Sequence, residues 1–327
     1  MKRSTVIISC AVAVLLLTAF FSLKCGILPT SCRAVWQIFA DPDGYPGFIL
    51  RELRLSRTLL ALFSGAALAV SGVILQKVLH NDLASPDILG ISGGAGCAGL
   101  ILLLYFPAVS NMLNAASFAG ALLAALLICL AAWRRNLSPV RLILAGVALG
   151  AVFSTASGTI ILLNSDRLTG IMEFTLGGFS GKTMANFTTA LPFFLASLIA
   201  ACFLPRKLEL LSLGKDEAAS LGLSVNRSRI MALATAALAA ATAVSVSGLL
   251  GFVGLVAPLI AGKLLKSRQS GKLLLLSGLC GAELTLAADI LARTAVMPRE
   301  LPCGIFLSGV GAVFFLILLW RERSFDV

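Results

Sequence analysis

The sequence predicts an all-α polytopic membrane protein, and three observations carry that reading. Hydrophobic residues fill 58% of the 327 positions and charged residues only 13%, whereas a soluble domain is about 45–50% apolar and about 25% charged. The mean hydropathy is +0.98. Apolar runs near the ~20 residues that a helix needs to cross hydrocarbon recur from end to end, which excludes a soluble domain with a single anchor. Soluble enzymes are excluded with it. A formal net charge of +11 would point to nucleic acid in a soluble chain. Here it reads as the Lys/Arg excess of cytoplasmic loops, and no nucleic-acid partner is expected.

The first run, 5–23, follows Lys2 and Arg3 as a signal peptide would. No small-residue cleavage site comes after it, and Lys24 precedes Cys25 where a lipoprotein site would need a different residue, so 1–24 is read as an uncleaved first span. Residues 25–56 hold Gly, Pro and Asp turn formers and read as an outer loop. Spans at 58–79, 88–106, 115–133 and 140–163 follow, then 187–204, 229–249, 252–266, 273–292 and 303–320. The count is about ten, with both termini on one side. Placing them in the cytoplasm puts 17 of the 26 basic residues on cytoplasmic segments, from Lys2 and Arg3 to Arg321 and Arg323, as the positive-inside rule requires. The exceptions are concentrated: Arg51, Arg54 and Arg57 crowd one outer segment and Arg293 and Arg299 another. Such clusters serve either an acidic partner or a solvated rim at the headgroups.

The polar stretch 205–228 reads as an inner helix-break-helix. Glu209–Ser212 makes one turn, Gly214 breaks it, and Asp216 and Glu217 occupy the first turn of a second short helix, where carboxylates suit the positive end. Gly222 supplies a stop. The segment is a natural docking element for a cytosolic partner, or else an ordered loop. A weak repeat is also visible. LAVSG at 68–72 echoes VSVSG at 244–248, and LAGVALGAVF at 144–153 echoes LSGVGAVF at 307–314. The copies lie about five spans apart, so they run in opposite directions, the inverted-repeat architecture of transporters. The chain is accordingly one transmembrane domain over 1–327, with a first repeat at 57–163 and a second at 229–320.

Several motifs invite chemistry and fail on context. Gly94, Gly96 and Gly99 match the dinucleotide pattern G-x-G-x-x-G but lie within a span, with no strand before them. They read as small residues for close helix packing. Gly177–Thr183 resembles a phosphate loop but has Leu176 where the first Gly is required, so ATP is not expected on this chain. His80 is the single histidine, and no His/Cys/Asp/Glu group has metal spacing. Cys25 and Cys32 share the outer loop and would pair only in an oxidising compartment. Asp289 stands four residues before Arg293, on one helix face and within pairing reach. Glu283 lies nearer mid-membrane, where a charge costs about 2.5–3.5 kcal/mol. It is read as a buried structural group, with a proton relay as the alternative.

Taken in order, Arg54-Leu-Ser-Arg57-Thr-Leu-Leu-Ala-Leu, SGVILQ (71–76), NDLASPDILG (81–90), LILAGVALG (142–150) and LGGFSG (176–181) form one set of blocks. LSLGKDEAASLGL (211–223), SGLLGFVGLVAPLIA (247–261), AADILAR (287–293) and ELPCGIFLSGVGAVFF (300–315) complete it. From about residue 50 onward, the set resembles the FecCD-type permease subunits of ATP-driven importers for iron-siderophores, haem and cobalamin. The resemblance implies a type II ABC importer permease in a bacterial or archaeal cytoplasmic membrane, surrounded by lipid. It implies a second permease subunit, identical or related, two ATPase subunits that carry the ATP and Mg, and an extracytoplasmic binding protein above. The chain itself would be a transport subunit with no cofactor and no catalytic residue. Leu213, Gly214, Asp216, Glu217, Ala218, Leu221 and Gly222 then match the ATPase-coupling segment. Arg54, Arg57 and Arg293 match the residues that meet the binding protein, and Gly146, Gly150, Ser154, Ser308 and Gly309 fall on helices that line the pathway. A secondary transporter using Glu283 and Asp289 is the alternative from another class. Departures from the family pattern are Ser56 and Val313 where Pro is usual, Leu259 where His is frequent, and Phe174 near a common Trp.

Overall fold

The computed structural model describes residues 2–25, 44, 47–48, 50–132, 138–164, 168–266 and 269–322. Within these residues the regular elements are helices: α1 (Lys2–Lys24), α2 (Ser56–Leu79), α3 (Ile91–Tyr105), α4 (Leu113–Ala132), α5 (Pro139–Leu163), α6 (Leu168–Leu176) and α7 (Met184–Cys202). They continue with α8 (Pro205–Leu211), α9 (Lys215–Ser220), α10 (Val225–Ser247), α11 (Val253–Leu265), α12 (Ser270–Thr294) and α13 (Cys303–Glu322). Each of the expected spans coincides with one of these helices. Seven of the described helices are long and apolar enough to cross a membrane, while α3, α11 and the apolar part of α13 are shorter.

The core is built around α2, α10 and α12, which are buried over most of their lengths. Lipid offers no hydrophobic drive between helices, so close packing must come from small residues. The sequence supplies them at the crossings. Gly65 of α2 and Gly281 of α12 each place a backbone carbonyl where the other's Cβ would stand, and a Cβ on Gly72 would run into the Gly254 carbonyl of α11 while one on Gly254 would meet Leu68 O and Pro86. Between α3 and α4, Gly94 abuts Gly120 and Ala124, and Gly99 abuts Ser117 and Phe174. The dinucleotide-like glycines are therefore spent on helix packing. The alanine-rich centre of α10 lies fully inside, and buried Ser71 of α2 donates to Ala236 O (2.8 Å) across that crossing.

Two stretches differ from expectation. The second span does not begin at Thr58 after a loop running to residue 56: a π-helical segment, Leu50–Leu55, leads directly into α2. Its charges made the window look too polar for a helix, but they are anchored within the fold. Arg54 Nη1 donates to Leu23 O (2.9 Å) and Lys24 O (3.2 Å) at the end of α1, and Glu52 Oε2 accepts the Met184 N–H (3.3 Å) at the start of α7. The second is α6, a short helix inserted between α5 and α7 that no span length signals. The conditional Cys25–Cys32 pairing falls outside the described residues, because Cys32 does.

Candidate functional site

The candidate residues named from the sequence lie at the two ends of the bundle and along two poorly covered helices. At one end, α8 follows α7 and turns its Leu208 and Leu211 inward. Gly214, at φ 115°, adopts a backbone that L-residues rarely reach, and it separates α8 from α9. Asp216 and Glu217 are exposed in the first turn of α9, Ala218 is buried, and Gly222 (φ 82°) ends the motif. Leu213 and Leu221 project as exposed apolar side chains. Two side chains bolt this segment to the core helices. His80 Nε2, at the end of α2, donates to Leu211 O (2.9 Å), and Glu209 Oε1 accepts the Ser270 N–H (2.9 Å) at the start of α12. The single histidine is thus a tether. Sequence reading found the helix-break-helix but missed both bolts, since neither leaves a local signal.

At the other ends of α2 and α12 lies a buried ionic cluster. Asp289 has no exposed surface. Arg57 Nη2 stands 2.9 Å from its Oδ1, with Arg57 Nε bonded to the same carboxylate. Arg57 Nη1 reaches Glu300 (2.6 Å), and Arg293 Nε reaches Asp289 Oδ2 (3.2 Å). Arg293 also donates to Ser22 Oγ (2.7 Å) and to Cys25 O (3.2 Å), and Ser22 Oγ shares a hydrogen bond with Thr58 Oγ1 (2.9 Å). Two guanidinium groups face two carboxylates, so the cluster is neutral and joins α1, α2 and α12. Burial opposes the charge of Glu300, but its hydrogen bond to Arg57 and the guanidinium charge hold its carboxyl below the usual glutamate range. Of the three arginines assigned to docking, Arg57 and Arg293 are interior, and Arg54 is partly exposed at the rim. Arg51 and Arg299 are the exposed cations there. The expected Asp289–Arg293 pair forms, with Arg57 as an added partner that sequence spacing does not reveal.

Beside this cluster, α6 and the glycine-rich loop after it are stitched to the end of α10 and the start of α13. Gly178 N donates to Ser247 O (2.8 Å), Gly304 N to Gly177 O (3.1 Å), and Leu249 N to Phe174 O (3.1 Å). The Gly178 amide, which a true phosphate loop would turn to its ligand, is spent on α10, and the Gly177 carbonyl accepts from the start of α13. Ser56 donates to Glu52 O and to Lys182 O (3.3 Å), so it fastens α2 to the same loop.

The five pathway candidates divide. Gly146 and Gly150 of α5 are packing positions: a Cβ at either would press on Leu89 or Gly90 in the turn before α3. Ser154, Ser308 and Gly309 are exposed, and a Cβ at Gly309 would meet nothing within 4 Å. Both helices also bare large apolar side chains, among them Leu144, Val147 and Val152 on α5 and Val310 and Val313 on α13. Glu283 accepts a hydrogen bond from Thr18 of α1 through Oε1 (2.7 Å), while its Oε2 has no partner among the described residues. The bond links α1 to α12.

Against known proteins, residues 14–321 match the FecCD transport family. The chain is 36% identical over 322 residues to the Fe(3+)-citrate import system permease protein YfmE of Bacillus subtilis (strain 168), covering 98% of this chain and 96% of that one. It is 36% identical over 324 residues to the hemin transport system permease protein HmuU of Yersinia pestis, covering 95% and 94%. A solved structure described as an inward-facing metal-chelate type ABC transporter superposes with a TM-score of 0.86 at 27% identity, covering 96% of this chain and 99% of that one.

Proposed function

Because the chain belongs to the FecCD transport family, we propose that it is the permease subunit of an ATP-binding-cassette importer that moves an iron-siderophore or haem chelate into the cytoplasm. The observation that carries the mechanism is the pair of bolts at α8–α9. His80 and Glu209 tie the helix-break-helix to α2 and α12, and those helices carry the Arg57–Asp289–Arg293–Glu300 cluster at their far ends. A push on α9 that crosses the Gly214 turn to α8 is therefore delivered along the core rather than absorbed in a loop.

In this reading, ATP and Mg sit on two partner ATPases, which press on Leu213–Gly222 from the cytoplasm. A second permease subunit covers α5 and α13, and the chelate passes between the two subunits. An extracytoplasmic binding protein docks on the opposite rim, where its acidic groups meet Arg54 with Arg51 and Arg299. Arg57 and Arg293 set that rim from beneath. Both chain termini lie in the cytoplasm. Small and apolar wall residues suit a bulky chelate delivered by a carrier better than a tight polar site does, since pathways must release what they accept.

Replacing Asp216 and Glu217 by Arg reverses the charge of the first turn of α9 and opposes the helix dipole. In vesicles holding the assembled importer, uptake should fall by about tenfold or more while ATP hydrolysis persists, the loss expected when an interface charge pair worth ~1.5 kcal/mol or more is removed. Normal uptake by the double variant would sink the coupling assignment.

A further inference from the structure

At the rim opposite α8–α9, a crevice of about 700 Å³ opens between α4 and α7, with α10 as its floor. Its upper end is polar, lined by Asn111, Asn114, Lys182 and Asn186. Asn186 spends its Oδ1 on the Thr183 N–H at the start of α7, which leaves its amide nitrogen as a donor on the wall. One turn deeper, Phe118 of α4 and Phe193 of α7 pack with ring centroids 5.3 Å apart. Phe118, Leu122 and Leu126 are spaced by four and so continue one face of α4, and Leu122 and Leu126 are exposed. An adjoining recess of about 350 Å³ shares Lys182 and Asn186 and adds Ser180 and Glu173. The site thus has a cation and amide donors at the helix ends, with an apolar track leading from them along the span.

We propose that this crevice binds an anionic phospholipid, with Lys182 on the phosphate and the acyl chain along the Phe118–Leu126 face of α4. The charge state of the lysine supports an incoming anion: burial lowers its ammonium below the usual lysine range, and the nearby Glu173 only partly offsets this. A half-buried cation without full compensation gains from a phosphate that brings its own charge. Ser180 and Glu173 suit the hydroxyl groups of a glycerol head. The assignment does not depend on the transport reading.

The test uses the full chain in nanodiscs of phosphatidylcholine with a minor fraction of phosphatidylglycerol. Lipid retained on the protein is counted by native mass spectrometry. The wild type should retain phosphatidylglycerol about tenfold over its share in the disc, as a charge-assisted contact implies. K182Q should lose that enrichment, and K182R should keep it. Equal retention of both lipids by the wild type overturns the proposal without recourse to any variant. So does enrichment undiminished in K182Q. Inorganic phosphate that raises the melting temperature in pure phosphatidylcholine discs as much as phosphatidylglycerol does would mark a free-anion site, and would overturn the lipid assignment.

Discussion

Asp289 holds its place through two guanidinium groups, and its energetics follow from what each partner would lose. With Arg57 at 2.9 Å and Arg293 at 3.2 Å, Asp289→Asn leaves two buried cations that share only Glu300. Breaking a buried pair from one side costs about 3–5 kcal/mol. Thermal melting in detergent should show that loss for D289N, whereas exposed Arg51→Gln should stay within about 0.5 kcal/mol of wild type. Similar melting of the two variants would show that the cluster does not hold the rim together. Glu300 gives the pH dependence. Its folded carboxyl lies below the ordinary value, which is about 4.3, so its contribution is complete above that value and is lost as pH falls through the depressed folded one. The difference in melting temperature between wild type and Glu300→Gln should stay level from pH 7 to about 5 and close below about 4. A difference that closed instead on the alkaline side would reverse the sign of the argument.

The helices themselves were legible wherever a single solvent dictated them. Hydrocarbon demands about 20 apolar residues per crossing, and every expected span coincides with a helix because that demand acts on composition alone. α9 was legible for another reason: glycines at 214 and 222 mark positive-φ breaks on either side of acidic residues. The π-helical start of α2 was hidden because Arg51, Glu52 and Arg54 read as loop charges until Leu23, Lys24 and Met184 are known to receive two of them. α6 was hidden because nine residues are too few for a span. Burial of Arg57 and Arg293 was equally out of reach, since Glu300 and Ser22 come to them from distant segments. Gly146 and Gly150 are assigned to the pathway from the helix they belong to, and their approach to Leu89 and Gly90 adds a packing role to that assignment. Which face of α5 meets the turn at Leu89 and Gly90 is a fact of packing, and no periodicity announces it.

For the whole molecule, lipid and a partner subunit compete to cover α5 and α13. Exposed leucines and valines suit either surrounding, because hydrocarbon tails are as apolar as the side chains of another helix. The discriminating residues are the polar and small ones among them. Ser154 and Thr155 on α5 are exposed, as are Ser308 and Gly309 on α13, and Gly158 has open space where a Cβ would point. By contrast, the exposed face of α4 presents Leu122, Leu123, Leu126 and Leu130. Hydroxyls facing hydrocarbon gain nothing, whereas a water-filled path between two subunits satisfies them. In a cysteine-free background, Ser154→Cys and Ser308→Cys should therefore react with a membrane-impermeant maleimide when the importer is assembled. The rates should change about tenfold or more between nucleotide-free and ATP-bound states, because rocking exposes the path to one side at a time. Leu126→Cys, on the α4 face, should stay unreactive in both states. If Ser154→Cys and Ser308→Cys are as inert as Leu126→Cys in every nucleotide state, α5 and α13 face lipid, and the chelate must cross elsewhere.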